Sequence, residues 1–282
     1  MSYHRGMAAL RGVDWSAVAA RCTMGVKALF DLTGKVALVT GGSRGLGLTL
    51  AEALGELGAR VAVTARKRDE LDAACAHLAR SGIACHAVAE DLAAPAAAAR
   101  IVDAVDAKWG PVDILVNNAG TSWGASAEDY PDEGWDKVLT LNVDAQFRMC
   151  REVGRRSMVP RRCGKIVNIA SIAGLYGNPP AWGIRSVAYN TSKGALISMT
   201  RALAAEWGRH NINVNAICPG FFASKMSQST LDRIGADVVA LTPLGRLPQD
   251  EDLKGAVAFL ASDASRHVTG QALVVDGGCT IV

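Results

Sequence analysis

The stretch Thr40-Gly41-Gly42-Ser43-Arg44-Gly45-Leu46-Gly47 constrains this chain more than any other. The apolar run Val36-Ala37-Leu38-Val39 leads into it, and Leu48-Thr49-Leu50-Ala51-Glu52-Ala53-Leu54 leads out with helical spacing. Strand, glycine-rich turn and helix, in that order, present free backbone N–H groups and the positive end of a helix dipole to a phosphate. Gly41, Gly45 and Gly47 fall where a side chain would block the tight turn, the approach of a pyrophosphate or the packing of helix on strand. The spacing is G-x-x-x-G-x-G rather than the commoner G-x-G-x-x-G. The flanking elements supply the context that a dinucleotide-binding turn needs.

Composition narrows the rest. Of 282 residues half are hydrophobic and 20% charged, enough for a sizeable core in one domain. A formal net charge of +3 is too small and too dispersed for a nucleic-acid surface. Arg155-Arg156 and Arg161-Arg162 read as the solvated end of a helix. The seven cysteines (22, 75, 85, 150, 163, 218 and 279) are scattered without a C-x-x-C pair, and the five histidines are isolated. That pattern argues against a disulfide framework and against a metal site, and favours a reducing, cytoplasmic setting. No apolar run reaches the roughly 18 residues of a membrane span. Residues 1 to about 30 carry Arg5, Arg11 and Arg21 but no continuous apolar segment of a secretory signal. Residues 1–31 are read as a peripheral or mobile extension and 32–282 as the domain, with Met24 an alternative start of translation.

From Lys35 onward strand and helix alternate. Short apolar runs predict strands at Val36–Thr40, Arg60–Ala65, Ala84–Ala89, Ile114–Asn117, Lys165–Ile169, Asn213–Cys218 and Leu273–Asp276. Helical stretches fall between them, at 45–57, 68–80, 95–109, 134–158, 189–209 and 250–261. Strands that are apolar without alternation belong in a sheet covered on both faces. The expected fold is α/β, a single-domain Rossmann-type doubly wound parallel sheet with helices on both faces.

Several residues then fall at positions that carry chemistry. The second strand ends in Ala65-Arg66-Lys67, where an NAD site would place an acid for the ribose 2′-hydroxyl. Arg66 together with Arg44 suits a 2′-phosphate, so NADP(H) is favoured over NAD(H). Asp91-Leu92 follows the third strand, where the carboxylate serves the adenine amino group, caps a helix N-terminus, or does neither. Asn117-Asn118-Ala119-Gly120 ends the fourth strand, with amides able to tie strand ends and small residues leaving room for a flat ligand. Asn142 lies in a helical stretch that disfavours asparagine, and needs a partner. Tyr189-x-x-x-Lys193 places phenol and ammonium on one helical face, where the cation would lower the tyrosine pKa. Ser171 stands at the C-terminal end of a strand, where open α/β sheets hold ligands.

T-G-x-x-x-G-x-G at 40–47, Asp91, N-N-A-G at 117–120, Asn142, Ser171, Y-x-x-x-K at 189–193 and Pro219-Gly220 together resemble the short-chain dehydrogenase/reductase family over residues 32 to 282. The resemblance implies hydride transfer between a nicotinamide and a carbonyl or alcohol carbon. Tyr189 would exchange the proton, Ser171 orient the substrate oxygen, Lys193 hold the nicotinamide ribose and Asn142 bind a relay water. Ser43, Leu46, Asn118, Ala119, Gly120, Pro219 and Gly220 would join the cofactor site. Ser224 stands where relatives often carry a threonine on the carboxamide. The family also implies a homotetramer, and leaves a sugar acid and a 3-oxoacyl thioester both open as substrate. A catalytically silent, NADP(H)-binding redox sensor is the alternative.

The gap between Ser171 and Tyr189 is longer than in many relatives and contains Tyr176, Trp182 and Arg185, each a candidate for the substrate pocket. Phe221, Phe222 and Met226 open a stretch, 221–247, expected to form a lid, and Trp123 is expected to point toward it.

Overall fold

The glycine turn sits between β1 (Val36–Thr40) and α2 (Gly45–Glu56) in a computed structural model that describes residues 24–225 and 227–282. Most of the expected N-terminal extension, Cys22 and Met226 lie outside the described residues. The described chain opens with a single helical turn, α1 (Val26–Leu29), and enters the core at Leu32, which is buried.

After β1 and α2 come β2 (Arg60–Ala65), α3 (Arg68–Arg80), β3 (Cys85–Ala89), α4 (Ala97–Trp109) and β4 (Ile114–Asn117). A long helical segment follows, made of α5 (Asp132–Leu139), α6 (Ala145–Val153) and α7 (Val159–Arg161). Then come β5 (Gly164–Ile169), α8 (Val187–Trp207), β6 (Ile212–Pro219), α9 (Gln228–Leu241), α10 (Glu251–Ala261) and β7 (Ala272–Val275). All strand pairings are parallel, in the order β3-β2-β1-β4-β5-β6-β7. This is the expected doubly wound sheet, with strand bounds within a residue of expectation.

Alternation along β1 explains the two-sided core. Ala37 and Val39 pack with Leu50, Leu54, Val257 and Leu260 of α2 and α10 on one face. Val36 and Leu38 pack with Ile101, Val105, Met149 and Val153 of α4 and α6 on the other. Successive side chains point to opposite faces, so an uninterrupted apolar run is what a sheet covered on both sides requires.

The expected helix bounds, the cysteines and the arginine pairs need correction, and the 221–247 stretch gains a helix. The helix expected over 134–158 begins at Asp132, where Asp132 and Glu133 complement the helix dipole. It is interrupted by π turns at Thr140–Asp144 and Gly154–Met158. The 221–247 stretch contains α9, whose Leu231, Ile234 and Val238 are buried; its apolar i, i+3, i+7 spacing is helical. Finally, Cys75 and Cys85 form a disulfide, although the scattered cysteines argued against bridges. Packing of α3 against β3 brings their Cα atoms to 5.2 Å, a proximity that spacing in the sequence does not reveal. Arg156 and Arg161 are likewise more than solvated charges, pairing with Asp103 at 2.6 Å and Asp113 at 2.8 Å.

Candidate active site

Strand order reverses between β1 and β4, and a cleft of about 1200 Å³ opens there along the C-terminal strand ends. One end of it is the glycine turn. Gly45 has φ of +51° and open space where a side chain would stand. At Gly47 a Cβ would collide with the Gly41 carbonyl and lie 2.5 Å from Asn118 Nδ2. The start of α2 is therefore drawn close under the turn, and no side chain caps it. Its first N–H groups are left for a ligand.

Thr40 and Asn118 hold this geometry. Thr40 Oγ1 accepts from the backbone N–H groups of Asn118 and Ala119, both at 3.0 Å. Asn118 Nδ2 donates to the carbonyls of Thr40 at 3.0 Å and Gly41 at 3.1 Å. Deeper in, Asn117 Nδ2 donates to Asn168 Oδ1 at 2.9 Å, the amide tie between strand ends that the sequence suggested.

Gly41, Ser43, Arg44, Leu46 and Arg66 line the cleft, as do Asp91, Leu92, Ala119 and Gly120. Arg66 is exposed, whereas Arg44 is engaged: its guanidinium donates to Glu70 Oε1 at 2.9 Å. Lys67 donates to the same oxygen at 3.1 Å and Ser43 Oγ to Glu70 Oε2 at 3.4 Å. The Lys67 hydrogen bond leads the causes that hold the Glu70 carboxyl below its ordinary range. Asp91 Oδ1 accepts from Ala93 N at 3.1 Å; since α4 begins only at Ala97, this is a local turn and no helix cap.

At the other end Ser171, Tyr189 and Lys193 meet. Lys193 is buried, and Nζ donates to the Ile169 carbonyl at 2.7 Å while standing 5.5 Å from the centre of the Tyr189 ring. Burial lowers its pKa to about 8, with the Cys218 sulfur opposing. Tyr189 runs against expectation. Burial pushes its phenol up, opposed by the Ser171 hydroxyl, while the lysine donates to Ile169. Ser171 Oγ also accepts from Ala173 N at 3.1 Å, which fixes the hydroxyl at the strand end.

Asn142 lies in the first π turn and is fully buried. Its Oδ1 accepts from Thr121 N at 2.8 Å; Nδ2 donates to the Thr121 carbonyl and to Ser192 Oγ, each at 2.9 Å. A single inserted residue in the turn is a common way to aim a functional side chain. A Cβ on Gly120 would stand 3.3 Å from Asn142 Oδ1 and 3.7 Å from Lys193 Nζ, so the three positions converge.

Pro219, Gly220, Phe221, Phe222 and Ser224 line the cleft, and Ser224 Oγ lies 2.9 Å from Ser227 Oγ. Four substrate candidates do not line it. Trp123 packs on Gly134 with Lys137 5.1 Å over its ring, because its indole fills the space that this glycine leaves. Trp182 is buried behind Phe221, edge to face at 5.5 Å, in a cluster with Ile234 and Val238 of α9. Tyr176 and Arg185 are exposed.

Sequence reasoning missed Glu70, Gln146, Ser192, Lys137 and Lys225. Gln146 stands four residues beyond Asn142 and donates to the Ala119 carbonyl, so a second amide on that helical face was a usable signal. Ser192 lies inside the Tyr–Lys motif. Among the described residues no group of three or more His, Cys, Asp or Glu could hold a metal, and no helix is long and apolar enough to cross a membrane.

Residues 41–280 match a family model described as enoyl-(acyl carrier protein) reductase. A gluconate 5-dehydrogenase of Gluconobacter oxydans is 40% identical over 259 residues, covering 90% of this chain and 97% of that protein. A rhamnolipids biosynthesis 3-oxoacyl-[acyl-carrier-protein] reductase of Pseudomonas aeruginosa is 39% identical, covering 88% and 97%. The crystal structure of a gluconate 5-dehydrogenase from Burkholderia cenocepacia in complex with NADP and tartrate superposes with a TM-score of 0.86 at 34% identity, over 92% of this chain and 100% of that one.

Proposed function

Since the chain belongs to the short-chain dehydrogenase/reductase family, whose members are oxidoreductases of CH–OH and C=O groups, we propose that it interconverts a ketone and a secondary alcohol with NADP(H). The observation that carries this reading is the meeting of Tyr189, Lys193 and Ser171 at one end of a cleft that begins at the glycine turn. The uncapped α2 start and the open space at Gly45 fit a pyrophosphate, and Arg44 and Arg66 fit a 2′-phosphate. The NADP complex of a relative at 34% identity supports the same cofactor. NADP(H) supplies or accepts the hydride at the substrate carbon.

The chain's own residues handle the proton. Because burial holds the Tyr189 phenol protonated near neutral pH, it suits donation to a carbonyl oxygen in the reductive direction. Ser171 lines the same end of the cleft and opposes the upward push of burial on that phenol, and its hydroxyl orients the substrate oxygen. The Lys193 ammonium steadies the phenolate left after donation and, by analogy with the family, holds the nicotinamide ribose. Asn142 fixes the Thr121 backbone beside the site, and the family analogy adds a relay water to it.

For the substrate, a sugar acid is the favoured reading, because Lys137 and Lys225 line the cleft and offer ammonium partners to a carboxylate. A 3-oxoacyl thioester is the second, favoured by the apolar wall of Ile172, Ile184 and Phe221. Initial rates with 5-ketogluconate and with an acetoacetyl thioester, each with NADPH and NADH, decide between them. A silent redox sensor would bind NADPH and turn over neither. A homotetramer completes the proposal: Phe147 on α6 and Leu273 on β7 stay 43% and 37% exposed, and light scattering reads the mass.

A further inference from the structure

Arg44, one of the two arginines read as partners of a 2′-phosphate, is already gripped by a carboxylate, and so is Lys67 beside Arg66. Arg44, Lys67 and Ser43 converge on Glu70 at 2.9, 3.1 and 3.4 Å. We propose that Glu70 is a specificity-determining residue of the cofactor site, occupying the Arg44–Lys67 pair in place of a 2′-phosphate and so restraining the preference for NADP(H) over NAD(H). This rests on reading the cleft as a dinucleotide site.

Glu70 stands in the first turn of α3, on backbone fixed by the helix. Its side chain is 25% exposed, against 54% for Arg44 and 61% for Lys67, so the carboxylate is the anchored member and the cations are the movable ones. An arriving 2′-phosphate needs the same donors and brings like charge within a Debye length of Glu70. Arg44 and Lys67 must exchange one anion for the other, and the affinity gained is only the difference between the two. A ribose 2′-hydroxyl faces no such exchange, and finds in Glu70 an acceptor of the kind that NAD sites use. One residue thus weakens the hold on the phosphorylated cofactor and offers the unphosphorylated one a partner.

The test is calorimetric titration of the full chain with adenosine 2′,5′-bisphosphate and with adenosine 5′-monophosphate, for the wild type, Glu70→Gln and Glu70→Ala. Glu70→Gln keeps the shape, and a thermal melt confirms that each variant folds. The expected result is about two- to fivefold tighter binding of the bisphosphate in both variants, with the monophosphate unchanged or weaker. The ratio of kcat/KM for NADPH over NADH should rise by the same factor. A ratio that stays constant or falls in both variants overturns the inference while the dinucleotide reading stands. Wild-type protein that binds neither probe overturns both.

Discussion

The Lys193 ammonium stands 5.5 Å from the centre of the Tyr189 ring and gives a hydrogen bond of 2.7 Å to the Ile169 carbonyl. The i, i+4 spacing on α8 brings the two side chains onto one face, but β5 decides what the lysine bonds. Phenol and ammonium are both taken out of water, and each is pushed toward its neutral form. The phenol, kept protonated, can pass its proton outward while the lysine keeps most of its charge at neutral pH.

Replacing Tyr189 by Phe removes the proton donor and leaves the ring. Turnover should fall by about 10²- to 10⁴-fold, with NADPH affinity within about threefold of wild type. Steady-state rates and NADPH fluorescence titration measure the two separately. Full activity in this variant would sink the mechanism.

Lys193 should leave a signature in stability against pH. Its folded pKa, about 8, lies below the ordinary 10.5, so folding penalises the charged form. The sign follows: the penalty is complete below pH 8, shrinks as pH rises from 8 to 10.5, and is gone above. Lys193→Met removes it, at most about 3 kcal/mol, less what the stranded Ile169 carbonyl costs. The variant's stability relative to wild type should therefore decline across that window, read by urea unfolding at a series of pH values.

Asn142→Ala leaves the N–H and C=O of Thr121 without their partner beside the cleft. A loss of about 1–3 kcal/mol is expected, together with a lower kcat. Asn142→Asp keeps the acceptor for the Thr121 N–H but not the donor, and should recover only part of the stability. Urea midpoints and kcat together report it.

Gly47→Ala places a methyl against the Gly41 carbonyl and the Asn118 amide. The turn must widen, at a cost of about 1–3 kcal/mol, and NADPH binding should weaken more than tenfold. Thermal melts with and without NADPH separate the two effects: the variant should lose most of the melting increment that the cofactor gives wild type.

Much of this was legible in one dimension. Apolar runs marked all seven strands, because a strand buried on both faces admits little else. The glycine turn, Ser171 at a strand end and Tyr189 one helical turn from Lys193 are short-range facts, and the chain writes them locally. Asn142 announced itself as an amide that needed a partner. Its π turn did not, since one extra residue in a helix leaves the apolar pattern nearly intact.

The tertiary structure decided whatever depends on partners distant in sequence or on exclusion of water. Glu70 lies 26 residues from Arg44 and meets it only because α3 folds back beside the glycine turn. Trp123 and Trp182 read as pocket aromatics, yet one fills the space at Gly134 and the other the space beneath α9. Cys75 and Cys85 pair because α3 packs on β3. The Tyr189 phenol is shifted up rather than down because desolvation outweighs the opposing Ser171 hydroxyl. Propensity and spacing act over a few residues and survive in the sequence. Desolvation and side-chain pairing exist only once the layers have closed around the site.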